Sequence, residues 1–243
     1  MTDNVIIIPT RLEASRLPGK PLKKINNIEM ILHVYKAAKE ADVGEVIVAS
    51  PNDQINELIK SKKGLCIKTR ANHKTGTDRI FEIFDKYLKK KPNVIINLQG
   101  DMPNIKPETI QYLSKYMEKN LCDIGTLSSE FNNESEINNV NNVKVLTDKP
   151  IRNNNFENAV DFFRTNDKKE NGYIYHHIGI YAFTNEALLR YVRLNQTNNE
   201  LERNLEQLRA LDNNMKIHVG YTTFPPLSVD TEEDLNKIKR LMK

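Results

Sequence analysis

Hydrophobic and polar positions follow two periods along this chain. Residues 5–8 are a short β-branched run stopped by Pro9, which predicts a buried strand. After a polar loop, Ile31, Val34, Tyr35 and Ala38 recur at helical spacing. Residues 45–49 and 65–68 predict two more strands, and 52–62 a helix between them with Ile55, Leu58 and Ile59 on one face. A helix over 78–88 would present Ile80, Phe84 and Leu88, and 94–98 predicts a fourth buried strand. Pro107 suits a first helical turn, with Ile110, Leu113 and Met117 behind it. This alternation predicts an α/β fold whose central sheet is mostly parallel, with right-handed crossovers.

The second half is patterned differently. Residues 132–142 are Asn-rich and read as a loop, 143–146 as a strand, and 149–172 show little pattern apart from 159–163. Strands are expected at 178–183 and 217–222, and helices near 186–192 and 201–211. Thr231 opens a last helix, with Asp234 as its capping-box partner. No repeat or linker interrupts the chain. The expectation is one domain over 1–243, carrying an inserted β-rich portion at 131–195.

Composition narrows the class. The 243 residues hold 39% hydrophobic and 28% charged positions, enough for a sizeable core beneath a very polar surface. A net charge of +4 is too mild for nucleic-acid binding but suits small anionic substrates. Two cysteines, Cys66 and Cys122, match no metal spacing and suggest a reducing compartment. No apolar run approaches the roughly 18 residues of a membrane span, and Met-Thr-Asp-Asn lacks the basic start of a signal peptide. The expected location is the cytoplasm, without membrane insertion.

Candidate chemistry begins where the first strand ends. The loop after it carries Arg11, Ser15, Arg16, Gly19 and Lys20. Three cations leaving a buried strand together suit a polyphosphate at the carboxyl edge of a parallel sheet; a solvated basic loop is the plainer alternative. Asp101, in Gln99-Gly100-Asp101, follows the fourth strand and should emerge at the same edge. A carboxylate there can hold Mg²⁺, which takes one or two protein carboxylates plus substrate phosphates; a turn aspartate is equally compatible. Asp230, just before the last helix, is either a helix-end charge or a second ligand, if the last strand lies beside the fourth.

His73-Lys74-Thr75-Gly76-Thr77-Asp78-Arg79 is a polar loop leading into a helix, able to face a base with Gly76 and the two threonines and a phosphate or sugar with Arg79, or simply an ordinary helix start with Thr77 as N-cap. His177, Gly179 and Tyr181 share one face of a strand, so the adjacent His176 and His177 cannot chelate together. Glu206 and Gln207 sit between apolar anchors in the expected 201–211 helix. A mononucleotide P-loop, a dinucleotide glycine fingerprint, a serine-hydrolase elbow and a zinc cluster are all missing.

Taken in order, several motifs resemble the 3-deoxy-manno-octulosonate cytidylyltransferases over almost the whole chain. They are Arg-Leu-Pro-Gly-Lys-Pro-Leu at 16–22, Thr-Gly-Thr-Asp-Arg at 75–79 and Gln-Gly-Asp at 99–101, then His-Ile-Gly-Ile-Tyr at 177–181, Leu-Glu-Gln-Leu-Arg at 205–209 and Val-Asp-Thr-Glu-Glu-Asp-Leu at 229–235. The resemblance implies a Rossmann-like nucleotidyltransferase fold that dimerises through the inserted portion. It implies transfer of CMP from CTP to 3-deoxy-D-manno-octulosonate (Kdo), giving CMP-Kdo for lipopolysaccharide synthesis. By the same resemblance, Arg11, Arg16 and Lys20 match triphosphate positions, 75–79 the nucleotide loop, and Asp101 and Asp230 the Mg²⁺ ligands. Gln99, Arg164, His177, Tyr181, Glu206 and Gln207 match positions around the sugar acid. Departures from the family pattern are Met102, Phe163, Arg203 and Ser228, and the absence of an isoleucine-proline after Arg164. They leave an 8-amino octulosonate open as substrate. Another nucleotidyltransferase substrate, or nucleotide binding without turnover, are the rival readings.

Overall fold

Four parallel strands form the frame that carries the cationic loop. The computed structural model describes residues 4–13, 16–119, 121–152, 155–165 and 172–243. They fall into two compact units, Met1–Ser114 with Pro226–Lys243, and Lys115–Pro225. The sequence expectation of an insert at 131–195 therefore falls inside a larger second unit.

In the first unit, β1 (Asn4–Pro9) is buried along its whole length. A small hairpin follows, β2 (Lys24–Ile25) and β3 (Ile28–Glu29), turned by Asn26 and Asn27 at positive φ. Helix α1 (Met30–Ala41) buries Met30, Ile31, Val34, Ala37, Ala38 and Ala41 on one stripe. Then come β4 (Glu45–Ser50), α2 (Asp53–Ser61), β5 (Leu65–Lys68), α3 (Gly76–Lys86), β6 (Val94–Asn97) and α4 (Pro107–Met117). The strand order is β5-β4-β1-β6, all parallel. Ile7 pairs with Asn97, so the chain leaves β1 and β6 at one edge. The cationic loop and Asp101 are thereby brought to the same side, as open parallel sheets place their ligand loops.

The second unit is built from β7 (Ile124–Ser129), a short α5 (Glu134–Asn138), β8 (Lys144–Thr147), β9 (Glu157–Phe163), β10 (Tyr173–Thr184), α6 (Asn185–Tyr191), α7 (Asn198–Arg203), α8 (Leu208–Asp212) and β11 (Ile217–Tyr221). Its strands run β10-β7-β11-β9-β8, and β8 pairs again with β10, so the pairings return on themselves. Only β7 with β11 is parallel. The last helix, α9 (Glu232–Leu241), belongs to the first unit.

Three sequence expectations need correction. β7, Ile-Gly-Thr-Leu-Ser-Ser, was not expected, because its polar residues hide a strand buried at all six positions. Two of those polar groups are satisfied by main chain: Thr126 Oγ1 lies 2.7 Å from the Ile180 carbonyl, and Ser128 Oγ 3.0 Å from that of Gly220, while the buried Ser129 Oγ has no hydrogen-bond partner among the described residues. The expected 201–211 helix is two helices, because Asn204 takes a left-handed conformation (φ 53°) that ends α7. Part of the expected 132–142 loop is α5, capped by Asn133.

Among the described residues, no helix is long and apolar enough to cross a membrane. Cys66 and Cys122 are buried free thiols, each pushed up to about 12 by burial.

Candidate nucleotide site

The loop after β1 is shaped by its own backbone. Leu12 N–H donates to Asn52 Oδ1, and Gly19 N–H to the Leu12 carbonyl. Gly19 has φ 67°, a left-handed conformation that costs glycine little, and it turns the chain into the Lys20–Leu22 3-10 helix. Lys20 is thereby aimed back toward β6. Its Nζ donates to Asp101 Oδ2 at 2.9 Å and to Asp230 Oδ1 at 3.0 Å. Arg16 Nη2 lies 3.0 Å from Asp230 Oδ2.

Asp230 does not arrive on a strand beside β6; β11 pairs with β7 and β9. An irregular segment delivers it, with Val229 N–H donating to the Asp101 carbonyl at 2.9 Å. Val229, Leu235 and Ile238 pack with Leu17, Ile25 and Met30 in one apolar cluster. Burial of that cluster anchors α9, and Thr231 caps it in a capping box with Asp234. The two carboxylates thus meet although about 130 positions separate them in sequence.

These groups line a cavity of about 340 Å³ together with Thr10, Glu13, His73, Lys74, Thr75 and Gly76. Arg11, Arg79 and Gln99 also face it. Burial works to lower the Lys20 pKa, but the charges of Asp101 and Asp230 outweigh it and leave it raised. Burial likewise pushes Asp230 up, while Lys20 and then Arg16 pull it below the usual carboxylate value. Lys20 and Asp230 are therefore both ionised at neutral pH.

Helix α3 starts at the cavity. Thr75, rather than the expected Thr77, caps it, its hydroxyl accepting from Asp78 N–H while the Asp78 carboxylate accepts from Thr75 N–H. A helix start of this kind favours anions. Thr77 is buried and does not line the cavity, and the Arg79 guanidinium donates to Thr69 Oγ1 and the Arg70 carbonyl, bracing the loop. Ser15 lies outside the described residues.

His73, at the cavity wall, and its partner Glu82 are not among the residues the sequence singles out for the site. His73 Nε2 lies 2.5 Å from Glu82 Oε2, which also accepts from Arg70 N–H. Burial pushes Glu82 up, but its hydrogen bonds to His73, Arg70 and Lys86 hold it at about 2. The available signal was an acidic residue three positions after Arg79, on the side of α3 that should be apolar.

The other expected residues lie in the second unit, except Gln99, which donates to Asn97 Oδ1 in the first. His177 is buried on β10, its ring 5.4 Å from that of Tyr181 and edge-on to Phe162. Thr126 Oγ1 sits 3.0 Å from His177 Nε2 and close to two carbonyls, so the hydroxyl donates to a carbonyl and accepts from Nε2–H. Burial, with His176 and Arg164 nearby, lowers His177 to about 3, so the ring is neutral. Tyr181 is raised by burial and then by the charge of Glu206, and lowered slightly by Arg164. Arg164, His177, Tyr181 and Glu206 therefore share one electrostatic neighbourhood. Glu206 and Gln207 occupy the turn between α7 and α8 rather than a helix.

Arg164 Nη1 donates to the carbonyls of Val140 and Asn141, while the fully buried Lys144 donates to those of Asn139, Asn142 and Arg164. Of the family departures, Arg203 donates to both carboxylate oxygens of Asp161 and to the Phe162 carbonyl, tying α7 to β9. Met102 and Phe163 are buried, and Ser228 is exposed.

The donor set suits a hard divalent cation. Two carboxylates already close on one cation position, now held by an ammonium, and they leave coordination for phosphate oxygens. Among the described residues, no three His, Cys, Asp or Glu side chains form a metal cluster. A metal supported partly by substrate fits this site better than an all-protein cage.

Cations gathered around paired carboxylates at the carboxyl edge of a parallel sheet define a nucleotidyl-transfer type of site, and residues 5–217 match the cytidylyltransferase family. The chain is 38% identical to the 3-deoxy-manno-octulosonate cytidylyltransferase of Bartonella tribocorum over 239 residues, 98% of each chain. It is 40% identical to the enzyme of that name from Rhodopseudomonas palustris over 239 residues, 98% of this chain and 97% of the other. The solved structure of a CMP:2-keto-3-deoxy-manno-octonic acid synthetase complexed with CTP matches with a TM-score of 0.86, 33% identity and 98% of both chains. A 4-diphosphocytidyl-2C-methyl-D-erythritol synthase from Anaerococcus prevotii, at TM-score 0.65 and 14% identity over 99% of this chain and 98% of the other, shares the fold. The chain belongs to the 3-deoxy-manno-octulosonate cytidylyltransferase family.

Proposed function

We propose that the protein transfers CMP from CTP to the anomeric hydroxyl of Kdo and releases pyrophosphate. The observation that carries the reading is the meeting of Lys20, Asp101 and Asp230 in one cationic cavity, in a chain of this family. Arg11, Arg16 and Lys20 hold the triphosphate, with Ser15 on the same loop. Thr75, Gly76 and Arg79 form the nucleoside side of the site, and Thr77, which faces away from the cavity, supports them from within α3. Gln99, Arg164, His177, Tyr181, Glu206 and Gln207 receive the sugar acid.

The anomeric oxygen attacks the α-phosphorus in line, an oxygen–phosphorus bond forms, and the bond to the β-phosphate oxygen breaks. The hydroxyl proton passes to solvent, and pyrophosphate leaves with the electron pair. The protein's work is positioning and charge stabilisation. Lys20 and the two arginines neutralise charge that grows on the departing diphosphate. His177, neutral and bonded to Thr126, orients the sugar rather than moving a proton.

Asp101 and Asp230 would hold Mg²⁺, which when bound supplies charge neutralisation on the triphosphate and acidifies oxygens it touches. We place the reaction in the cytoplasm, and the working form as a homodimer.

The test is direct. The protein is incubated with CTP, Mg²⁺ and either Kdo or its 8-amino analogue, and the nucleotide product is identified by mass. CMP-Kdo with equimolar pyrophosphate is expected. Turnover of the amino sugar alone would replace the substrate, and no sugar-dependent pyrophosphate release would overturn the reading.

A further inference from the structure

Lys20 stands where a cation is wanted. Its ammonium is 2.9 Å from one carboxylate and 3.0 Å from the other, and its side chain is only 15% exposed. Arg16 adds a second positive contact to Asp230. A divalent ion bound to both carboxylates would face that ammonium at close range, and like charges so near repel strongly in a partly desolvated cleft.

The rest of the lining points the same way. Arg11, Arg16, Lys20, Lys74 and Arg79 face three carboxylates, Glu13, Asp101 and Asp230. A bare cation entering this surplus of positive charge is disfavoured, whereas a triphosphate is attracted. The triphosphate also offers Lys20 a new anionic partner, so the lysine need not be stranded when it leaves the aspartates.

We propose that Lys20 is the resident counter-ion of the Asp101–Asp230 pair and must leave it before a divalent cation binds there, so the metal binds with the nucleotide and not before it. This rests on the reading of Asp101 and Asp230 as metal ligands. The lysine thereby has two positions: on the carboxylates in the free protein, and on phosphate in the loaded one.

The experiment measures Mn²⁺ binding to the full chain without nucleotide, by the electron paramagnetic resonance of free Mn²⁺. Wild type should bind weakly. Lys20→Met should bind at least about fivefold more tightly, within the usual range of coupling between sites. Lys20→Gln repeats the test with a neutral side chain that still hydrogen-bonds the carboxylates, and should also bind more tightly. Lys20→Arg keeps the charge and should stay weak. Adding Asp101→Asn to Lys20→Met should abolish the gain. Equal affinity in wild type, Lys20→Met and Lys20→Gln, with a loss on adding Asp101→Asn, overturns the counter-ion role and leaves the metal reading standing. A Lys20→Met protein whose Mn²⁺ affinity ignores Asp101→Asn overturns the metal reading, and the counter-ion proposal with it.

Discussion

In the first unit, Lys20 bridges Asp101 and Asp230 beside a cavity; in the second, Arg209 forks onto Glu200 in the interior. The groups are chemically alike and their settings are not. Glu200 and Arg209 side chains are 5% and 6% exposed, whereas Asp101 and Asp230 are 23% and 37%. Arg209 uses Nε and Nη2 on the two Glu200 oxygens, and its guanidinium lies 4.9 Å from the Tyr191 ring centroid. Glu200 also completes the capping box of α7. That pair is doubly hydrogen-bonded within the fold and almost closed to solvent. The Lys20 cluster is satisfied too, but by contacts that an incoming phosphate can exchange. A buried ion pair with saturated hydrogen bonding organises structure, and one opening on a cleft is available to a ligand.

The comparison breaks if the two clusters respond alike to mutation. The largest effect on folding is expected for Glu200→Ala, which leaves a buried guanidinium uncompensated and should cost about 3–5 kcal/mol in chemical denaturation. Asp230→Asn, at a half-open site, should cost less than about 1 kcal/mol. Asp101→Ala should do the reverse of Glu200→Ala, losing about 10²–10³ in the rate of pyrophosphate release while remaining folded. Equal destabilisation by Glu200→Ala and Asp230→Asn would erase the distinction.

Glu82 sharpens it from a third setting, against His73 at the cavity wall. Its folded pKa of about 2 lies below the unfolded 4.5. Its stabilisation is therefore present above about pH 4.5 and lost as pH falls toward 2, a span worth about 3 kcal/mol. Glu82→Gln should flatten that part of the stability–pH profile; an unchanged acid limb would contradict the pairing. The smallest effect belongs to Lys68 and Asp53, paired at 2.7 Å with both side chains mostly exposed. Lys68→Met should change stability by less than about 1 kcal/mol.

Legibility in the sequence followed the same divide. The first unit was readable because its strands are unbroken apolar runs and its helices carry clean stripes, as Ile80 and Phe84 on α3 do. The cationic loop and Asp101 were readable with it, since each follows a strand directly. The approach of Asp230 was not, because it depends on Val229 bonding to Asp101 and on apolar packing between the two ends of the chain. In the second unit, β7 buries Ser and Thr against main-chain carbonyls and shows no alternation. The break between α7 and α8 turns on one left-handed Asn204, a conformation a sequence pattern does not announce. Glu206 and Gln207 are legible only through motif resemblance, and the apolar residues around them imitate a helix where the chain turns.

The central claim is that Asp101 and Asp230 share one divalent ion with the triphosphate. Anomalous diffraction from crystals grown with Mn²⁺ and a non-hydrolysable CTP analogue tests it most directly. A Mn²⁺ peak coordinated by one oxygen from each aspartate and by phosphate oxygen is expected, with Lys20 Nζ moved onto phosphate. A metal held by phosphates alone, with Lys20 still between the two carboxylates, would contradict it.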